Sequence, residues 1–378
     1  MGSVGEINVK KRNASFELLR IIAMLMILNL HYNSHADVLL QLGVPASGVQ
    51  IYATIIEAIS ITGVNVYVLL SGFFLSKGKV RPSRILQLIC QVYFYTILVS
   101  VAMMLVGTYV IHSNDSVYKI VQYLFPISSE HYWFVTAYII MYVMAPVMNA
   151  ATEVLSRKQM RAVIAGLLIW FSIVKSFVPV MFATDHYGYD YGWFIVLYLI
   201  AAYIRKYDVV LFFNAKKSAA VFLLSVALMA FASIALHYIN LQRGGLVYFS
   251  DVPFHLNFIF SLTGSLGLFS FFRFYKMRDN RFADVVRFVA PFTFGVYLLH
   301  MHLEIKDRWL GWLENLMGEV PKDSVILFAW HQLRAILIVF VAGIFVDWIR
   351  KTIFDYVGRV LHNTRLFKRI RQWDEDLC

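Results

Sequence analysis

The sequence predicts an all-α protein: a polytopic integral membrane helical bundle of about ten transmembrane helices with both termini cytoplasmic. Three observations predict it. Of 378 residues, 60% are apolar and only 15% charged, whereas a soluble domain averages roughly 45–50% and about 25%. Apolar stretches of near-bilayer length recur along the whole chain. The cations gather in every second gap between those stretches.

A helix needs about 20 mostly apolar residues to cross the hydrocarbon core. The first such stretch, 16–34, follows a polar leader (1–15) and has no small-residue cleavage site after it, so it reads as a retained span. The second, 51–75, ends at the cationic turn containing Lys77 and Lys79, and the third, 85–111, opens directly after Arg84. The fourth, 133–150, begins at an aromatic pair, Tyr132 and Trp133. The fifth, 162–183, follows Arg157, Lys158 and Arg161. The sixth, 191–205, is short and must begin earlier or sit in thinned bilayer. Uninterrupted apolar runs then mark 218–240, 252–274, 283–303 and 325–349.

An even count places both ends on one side, and the Lys/Arg bias names the side. Of 34 cations, 26 fall on the face shared by the termini and five on the other, with Arg20, Lys175 and Arg334 inside spans. Both termini are therefore expected in the cytoplasm of a cell whose plasma membrane holds the chain. Three regions are expected: a cytoplasmic leader (1–15), one membrane domain (16–350), and a basic amphipathic tail (351–378) lying on anionic lipid.

The net charge of +11 is thus mostly a topology signal. No zinc-finger spacing, RNA-binding signature or separate basic helix points to nucleic acid. Cys90 and Cys378 have neither the number nor the spacing of a disulfide framework or metal site. No GxSxG elbow, Gly-rich phosphate loop or dinucleotide fingerprint is present. No metal and no permanently bound cofactor are expected, and nothing in the sequence specifies an oligomeric state.

Ionisable groups inside a span are costly and mark functional hypotheses. Arg20 and His31 are eleven residues apart, about 20° from whole turns, so they share one face of the first helix, ~16 Å apart along its axis. A guanidinium suits anion binding from inside; an imidazole deeper in suits general-base work. A snorkelling Arg and a hydrogen-bonded packing His fit the spacing equally well. In the second span, Asn65, Ser71 and Gly72 either permit close helix approach or line a cavity. Arg81 and Arg84 flank Pro82, as a topology signal or as a fork onto phosphate oxygens. Glu130, His131 and Trp133 stand at the mouth of the fourth span, where the aromatics also suit an interfacial belt. His300 and His302, at i and i+2, do not share a helix face. Glu57 and Lys175 are buried charges whose partners the sequence does not name. His255, Asn257, Arg334 and Asp347 either line a cavity or form structural pairs.

These residues fall in ordered motifs. FELLRIIAM opens the first span, in which ten residues separate Arg20 from His31; LLSGFFLSK (69–77), RPSR (81–84), HYWFVTAYIIMYVMAPVMN (131–149) and FGVYLLHMH (294–302) follow. In this order, along nearly the whole chain, they resemble the acyltransferase-3 family of integral membrane O-acyltransferases. The resemblance implies transfer of an acyl group, commonly acetyl, from cytoplasmic acyl-CoA as co-substrate to a hydroxyl of a cell-envelope carbohydrate or glycolipid. It places His31 in acyl transfer, Arg20 in donor binding or orientation, and Arg81 with Arg84 against CoA phosphates; Trp133 and His300 match recurring positions. Three features depart from parts of the family: Asn65 replaces an acidic residue, SSEHYWF replaces an acidic motif of one branch, and no fused second domain is expected. The alternative is a transporter or flippase of a lipid-linked glycan, which calls for inverted repeats or paired broken helices; a sugar polymerase calls for a large outer loop.

Overall fold

The computed structural model describes residues 11–107, 117–178 and 186–376. Residues 1–10 of the expected leader, 108–116, 179–185 and Cys378 lie outside them. The described residues are helical with no strand. In chain order the helices are α1 (Ala14–His35), α2 (Gly48–Ser60), α3 (Thr62–Leu75), α4 (Pro82–Leu105), α5 (Val117–Leu124), α6 (Trp133–Val154), α7 (Arg157–Leu168) and α8 (Lys175–Phe177). They continue as α9 (Tyr191–Lys206), α10 (Ala215–Arg243), α11 (Ile259–Phe274), α12 (Arg281–Val289), α13 (Thr293–His300), α14 (Trp309–Met317), α15 (Val325–Leu361) and α16 (Arg365–Asp376). Among the described residues, nine helices or near-continuous helix pairs are long and apolar enough to cross a membrane. The protein is a multi-pass membrane protein.

Polar caps set the helix starts. Asn13, Asp190, Asn214, Asn280 and Ser324 each accept a first-turn backbone N–H, and Ser47–Gln50 and Ser156–Gln159 form reciprocal capping boxes. These side chains satisfy donors that no residue inside the helix can reach. Pro82 begins α4, where its missing N–H costs nothing.

Four expected spans differ in detail. The stretch 191–205 forms α9, whose 16 residues cover about 24 Å, less than the ~30 Å hydrocarbon core. It is a buried strut, packed against α3 and α6. The eighth span becomes helical only at Ile259, because Pro253 leaves two short 3-10 turns ahead of it. A 3-10 turn at Pro291 separates α12 from α13, and α13 ends at His300, which leaves His302 in the following turn. The tenth span continues to Leu361, since nothing between 349 and 361 breaks the helix. Beyond it, α16 folds back against α4, where the Ser83 N–H and hydroxyl donate to the Asp374 carboxylate at 3.0 and 2.5 Å.

Burial separates inner from outer helices. The α2–α3 unit is 78% buried over its apolar window, and the α7–α8 unit 17%. α1 lies at the centre, touching α2, α3, α11, α12, α13 and α15. With no water to expel between apolar helices in lipid, close packing at small residues must hold them together. A methyl group on Gly63 would stand 3.0 Å from the Ala23 carbonyl oxygen of α1. One on Gly295 would stand 2.3 Å from the Asp347 side chain, and one on Gly343 2.8 Å from Val296 Cα. These last two glycines seat α13 on α15 and thereby set the position of His300.

Candidate active site

Two cavities concern the expected site residues, one of them walled in part by α1. One, of about 270 Å³, is walled by Met24, Ile27, Tyr67, Trp133, Phe134, Tyr189, Phe294 and Tyr297, with His31 and Glu57 among its few polar groups. The other, of about 720 Å³, is lined by Arg12, Lys79, Arg81, Arg84, Arg350 and Lys351 together with Gln87, Gln91 and Tyr138. The first is aromatic; the second is basic.

In the aromatic cavity His31 and His300 are directly bonded, Nδ1 to Nε2 at 2.8 Å. The Val296 carbonyl, 2.6 Å from His300 Nδ1, can only accept, so that nitrogen carries a proton. In a neutral imidazole the other nitrogen then accepts, and His31 Nδ1–H must be its donor. The chain of bonds leaves His31 Nε2 as a bare lone pair. His300 is 1% exposed and sits one turn above Val296, so the backbone of α13 fixes this tautomer. The arrangement has the form of a general base whose far nitrogen is oriented by a second group.

Arg20 is paired with the buried Glu17 of its own first turn at 2.6 Å. It lines neither cavity, yet it lies within Coulombic reach of Tyr67, in the wall of the aromatic one, and of Tyr138, in the wall of the basic one. The Tyr67 hydroxyl is held by Thr293 at 2.8 Å.

The basic cavity is built on the start of α4. Arg81 is its N-cap and Arg84 lies in its first turn. The hydroxyl of Tyr142 on α6 bonds to both the N–H and the carbonyl of Arg81, at 3.2 and 3.4 Å. From α15, Arg350 contributes a guanidinium held by two 2.8 Å bonds to Asp347. Asp347 is 0% exposed and also accepts from Gln91 at 3.0 Å and Tyr95 at 2.9 Å. The space that Gly295 leaves is what admits this carboxylate. Six cations from three segments and a helix N-terminus make a site suited to a polyanion.

The other expected site residues are placed elsewhere. Asn65 donates to the Leu256 carbonyl at 2.7 Å and accepts from Trp193 Nε1 at 2.9 Å; it ties α3 to α9 and α11 and lines neither cavity. Ser71 bonds back to the Tyr67 carbonyl at 2.9 Å, and the neighbouring Gly72 lets Tyr198 Cα approach to 3.0 Å of a would-be Cβ. This stretch is a helix contact. Glu130 opens the short turn Glu130–Tyr132, and its side chain lies outside the described residues. Trp133, by contrast, lines the aromatic cavity with its ring 4.8 Å from that of Tyr189.

His131 and His302 form a separate cluster, ring centroids 5.4 Å apart. Burial, reinforced by His302, pushes His131 down to about 3; burial likewise pushes His302 to about 4. Glu304 beside them accepts from Tyr123 and pairs with Arg308 at 3.6 Å. Among the described residues no group of three or more His, Cys, Asp or Glu is placed to hold a metal.

Residues 13–349 match the family model described as an acyltransferase domain. The chain belongs to the acyltransferase-3 family. Searches of curated proteins and of solved structures give no match. As a family member spanning the membrane many times, the protein is a membrane acyltransferase. The five motifs that carry the resemblance fall on the walls and struts of the two cavities. Sequence reasoning passed over Glu17, Asn33, Gln91, Tyr189 and Gln332, and gave Arg12 and Arg350 to topology alone. For Asn33, Gln91 and Gln332 the signal was a polar residue inside an apolar run, which names no partner.

Proposed function

We propose that the protein moves an acyl group, acetyl in our reading, from acyl-CoA at the cytoplasmic face of the plasma membrane to a hydroxyl of a cell-envelope carbohydrate or glycolipid. The observation that carries this is the His31–His300 pair, which leaves His31 Nε2 bare in the aromatic cavity; a second cavity of the same protein is rich in cations. Under the positive-inside rule the basic cavity faces the cytoplasm, where acyl-CoA is found. Its Arg81 and Arg84 hold CoA phosphates, with Arg350 as a third fork, and the pantetheine arm passes Arg20 toward His31.

The chemistry is one proton relay. His31 Nε2 takes the proton of the acceptor hydroxyl as its oxygen attacks the thioester carbonyl. The carbon–sulfur bond then breaks, and the departing CoA thiolate takes the proton back from His31. His300 Nε2 accepts from His31 Nδ1–H throughout and so stabilises the transient imidazolium. Arg20 orients the donor, and its tie to Glu17 holds the guanidinium in place.

Incubating the purified protein with acetyl-labelled acetyl-CoA tests the reading. We expect CoA release and label in a hydroxyl ester, both reduced about 10²–10⁴-fold in His31→Ala, the usual worth of a general base. No acetyl-CoA turnover by the wild-type protein, or undiminished transfer by His31→Ala, overturns it.

A further inference from the structure

Glu57 is the buried carboxyl that the relay above does not use. It lies on α2, is 8% exposed, and shares the aromatic cavity with His31, Trp133 and Tyr189. No ion pair to it forms among the described residues. Its partner is an amide, Asn33, two residues beyond His31 on α1, whose Nδ2 donates to Glu57 Oε2 at 2.9 Å.

That amide is oriented from behind. Gln332 Nε2 of α15 donates to Asn33 Oδ1 at 2.8 Å. The Ala53 carbonyl, which can only accept, takes the other Nδ2 hydrogen at 3.3 Å. Three helices thus agree on one direction of hydrogen bonding, ending at Glu57 Oε2. The second carboxyl oxygen, Oε1, receives nothing from this chain of bonds. In an apolar pocket a few fixed polar groups decide which ligand is held. Here one is a carboxyl oxygen in the same cavity as two aromatic rings and the bare nitrogen of His31.

We propose that Glu57 selects the acceptor. Its Oε1 accepts a hydrogen from one hydroxyl of a pyranose ring lying against Trp133 and Tyr189, and so presents a second hydroxyl of the same ring to His31. The ligand class is a compact polyhydroxylated ring, since an acceptor with a single hydroxyl cannot meet both groups. This rests on the acyl-transfer reading and adds a residue to it.

Glu57→Gln is the informative variant. Asn33 still offers a donor at the old Oε2 position, so the glutamine oxygen turns there and its NH₂ replaces Oε1 in the cavity. A hydroxyl then meets a donor instead of an acceptor at nearly unchanged volume. The experiment follows CoA release from acetyl-CoA with methyl α-glucopyranoside, with cyclohexanol, and with water alone. Wild-type turnover should be stimulated by the pyranoside. In Glu57→Gln the pyranoside reaction should fall about 10–100-fold, seen chiefly as a higher KM for that acceptor, as expected when a site built for a hydroxyl loses its partner. Turnover with cyclohexanol and with water should stay within about twofold of wild type. Gln332→Leu, behind the cavity wall, should reproduce the pattern more weakly by freeing the Asn33 amide.

Equal loss with all three acceptors would show a structural role and overturn the assignment, as would an unchanged pyranoside reaction or a wild-type enzyme indifferent to the pyranoside. Absence of any CoA release from the wild type would instead overturn the underlying acyl-CoA reading.

Discussion

The two cavities are built on opposite principles. The basic one draws six cations from three segments around the start of α4, with Arg81 and Arg84 exposed, so much of it rests on long side chains in reach of water. The aromatic one sets its few polar groups among rings and apolar walls, with His31 bonded to a histidine that the α13 backbone orients and Glu57 bonded to an oriented amide. The first suits a ligand recognised by charge, where many contacts share the work and each is worth little. The second suits a reaction, where a single atom must be in one protonation state and one place. The contrast teaches that loss of a side chain should act on affinity in one cavity and on rate or selectivity in the other.

The largest expected effect lies at His300. In His300→Leu the Nδ1–H of His31 loses its acceptor, and the ring is free to turn or to exchange tautomers. Transfer should fall about 10²-fold or more, within the range spanned by general-base assistance, at unchanged acetyl-CoA affinity. His300→Gln, whose amide oxygen can accept from His31 Nδ1–H, should recover part of that loss. Equal defects in the two variants would remove the tautomer argument and with it the asymmetry between the cavities. Steady-state transfer rates at saturating donor provide the measurement.

Next comes Arg81→Ala combined with Arg84→Ala. Charge-assisted hydrogen bonds are worth about 1.5–3 kcal/mol each when well formed, and exposure discounts them. The KM for acetyl-CoA should rise roughly tenfold or more, with limiting turnover near wild type. A fall in limiting turnover at constant KM would place these arginines with the chemistry and erase the distinction.

The smallest effect is expected at Asp374. Its carboxylate receives the Ser83 N–H and hydroxyl at the start of α4, in a side pocket shared with Lys79, Arg81, Arg371 and Glu375. An anion at a helix N-terminus contributes about 0.3–1 kcal/mol. Asp374→Asn should therefore lower the KM for acetyl-CoA by about two- to fivefold, because the tail no longer supplies a competing negative charge. A higher KM would mean that α16 supports the donor site instead.

How much of this was legible in the sequence follows the same divide. The helical membrane class and nearly every span could be read, because apolar length and cation placement are local properties of the chain. Arg20 with His31 was legible for the same reason, since one helix carries both, and Arg81 with Arg84 sit within four residues. The partners were not. His31 and His300 are separated by 269 positions and Asn33 and Gln332 by 299, and no periodicity links them. Asn65 shows the same limit from the other side: a polar residue in an apolar span fitted helix packing or a cavity lining alike, and only its distant partners, Trp193 and the Leu256 carbonyl, decide for packing. Pro253 and Pro291 stood in plain view, but how far each would shorten a helix depended on the packing around it. The shortness of α9 was visible as well; that it is a buried strut between α3 and α6 depends on neighbours far away in the chain.

The central claim is that donor binding and proton transfer are divided between the two cavities. The most direct measurement compares CoA binding by calorimetry with saturated acetyl-transfer rate, for wild type, His31→Ala and the Arg81→Ala/Arg84→Ala pair, each purified in detergent. The account predicts that His31→Ala binds CoA as wild type does while its transfer falls about 10²–10⁴-fold, and that the arginine pair binds CoA roughly tenfold more weakly while its saturated rate persists. Loss of CoA binding in His31→Ala, or wild-type CoA binding in the arginine pair, would contradict it.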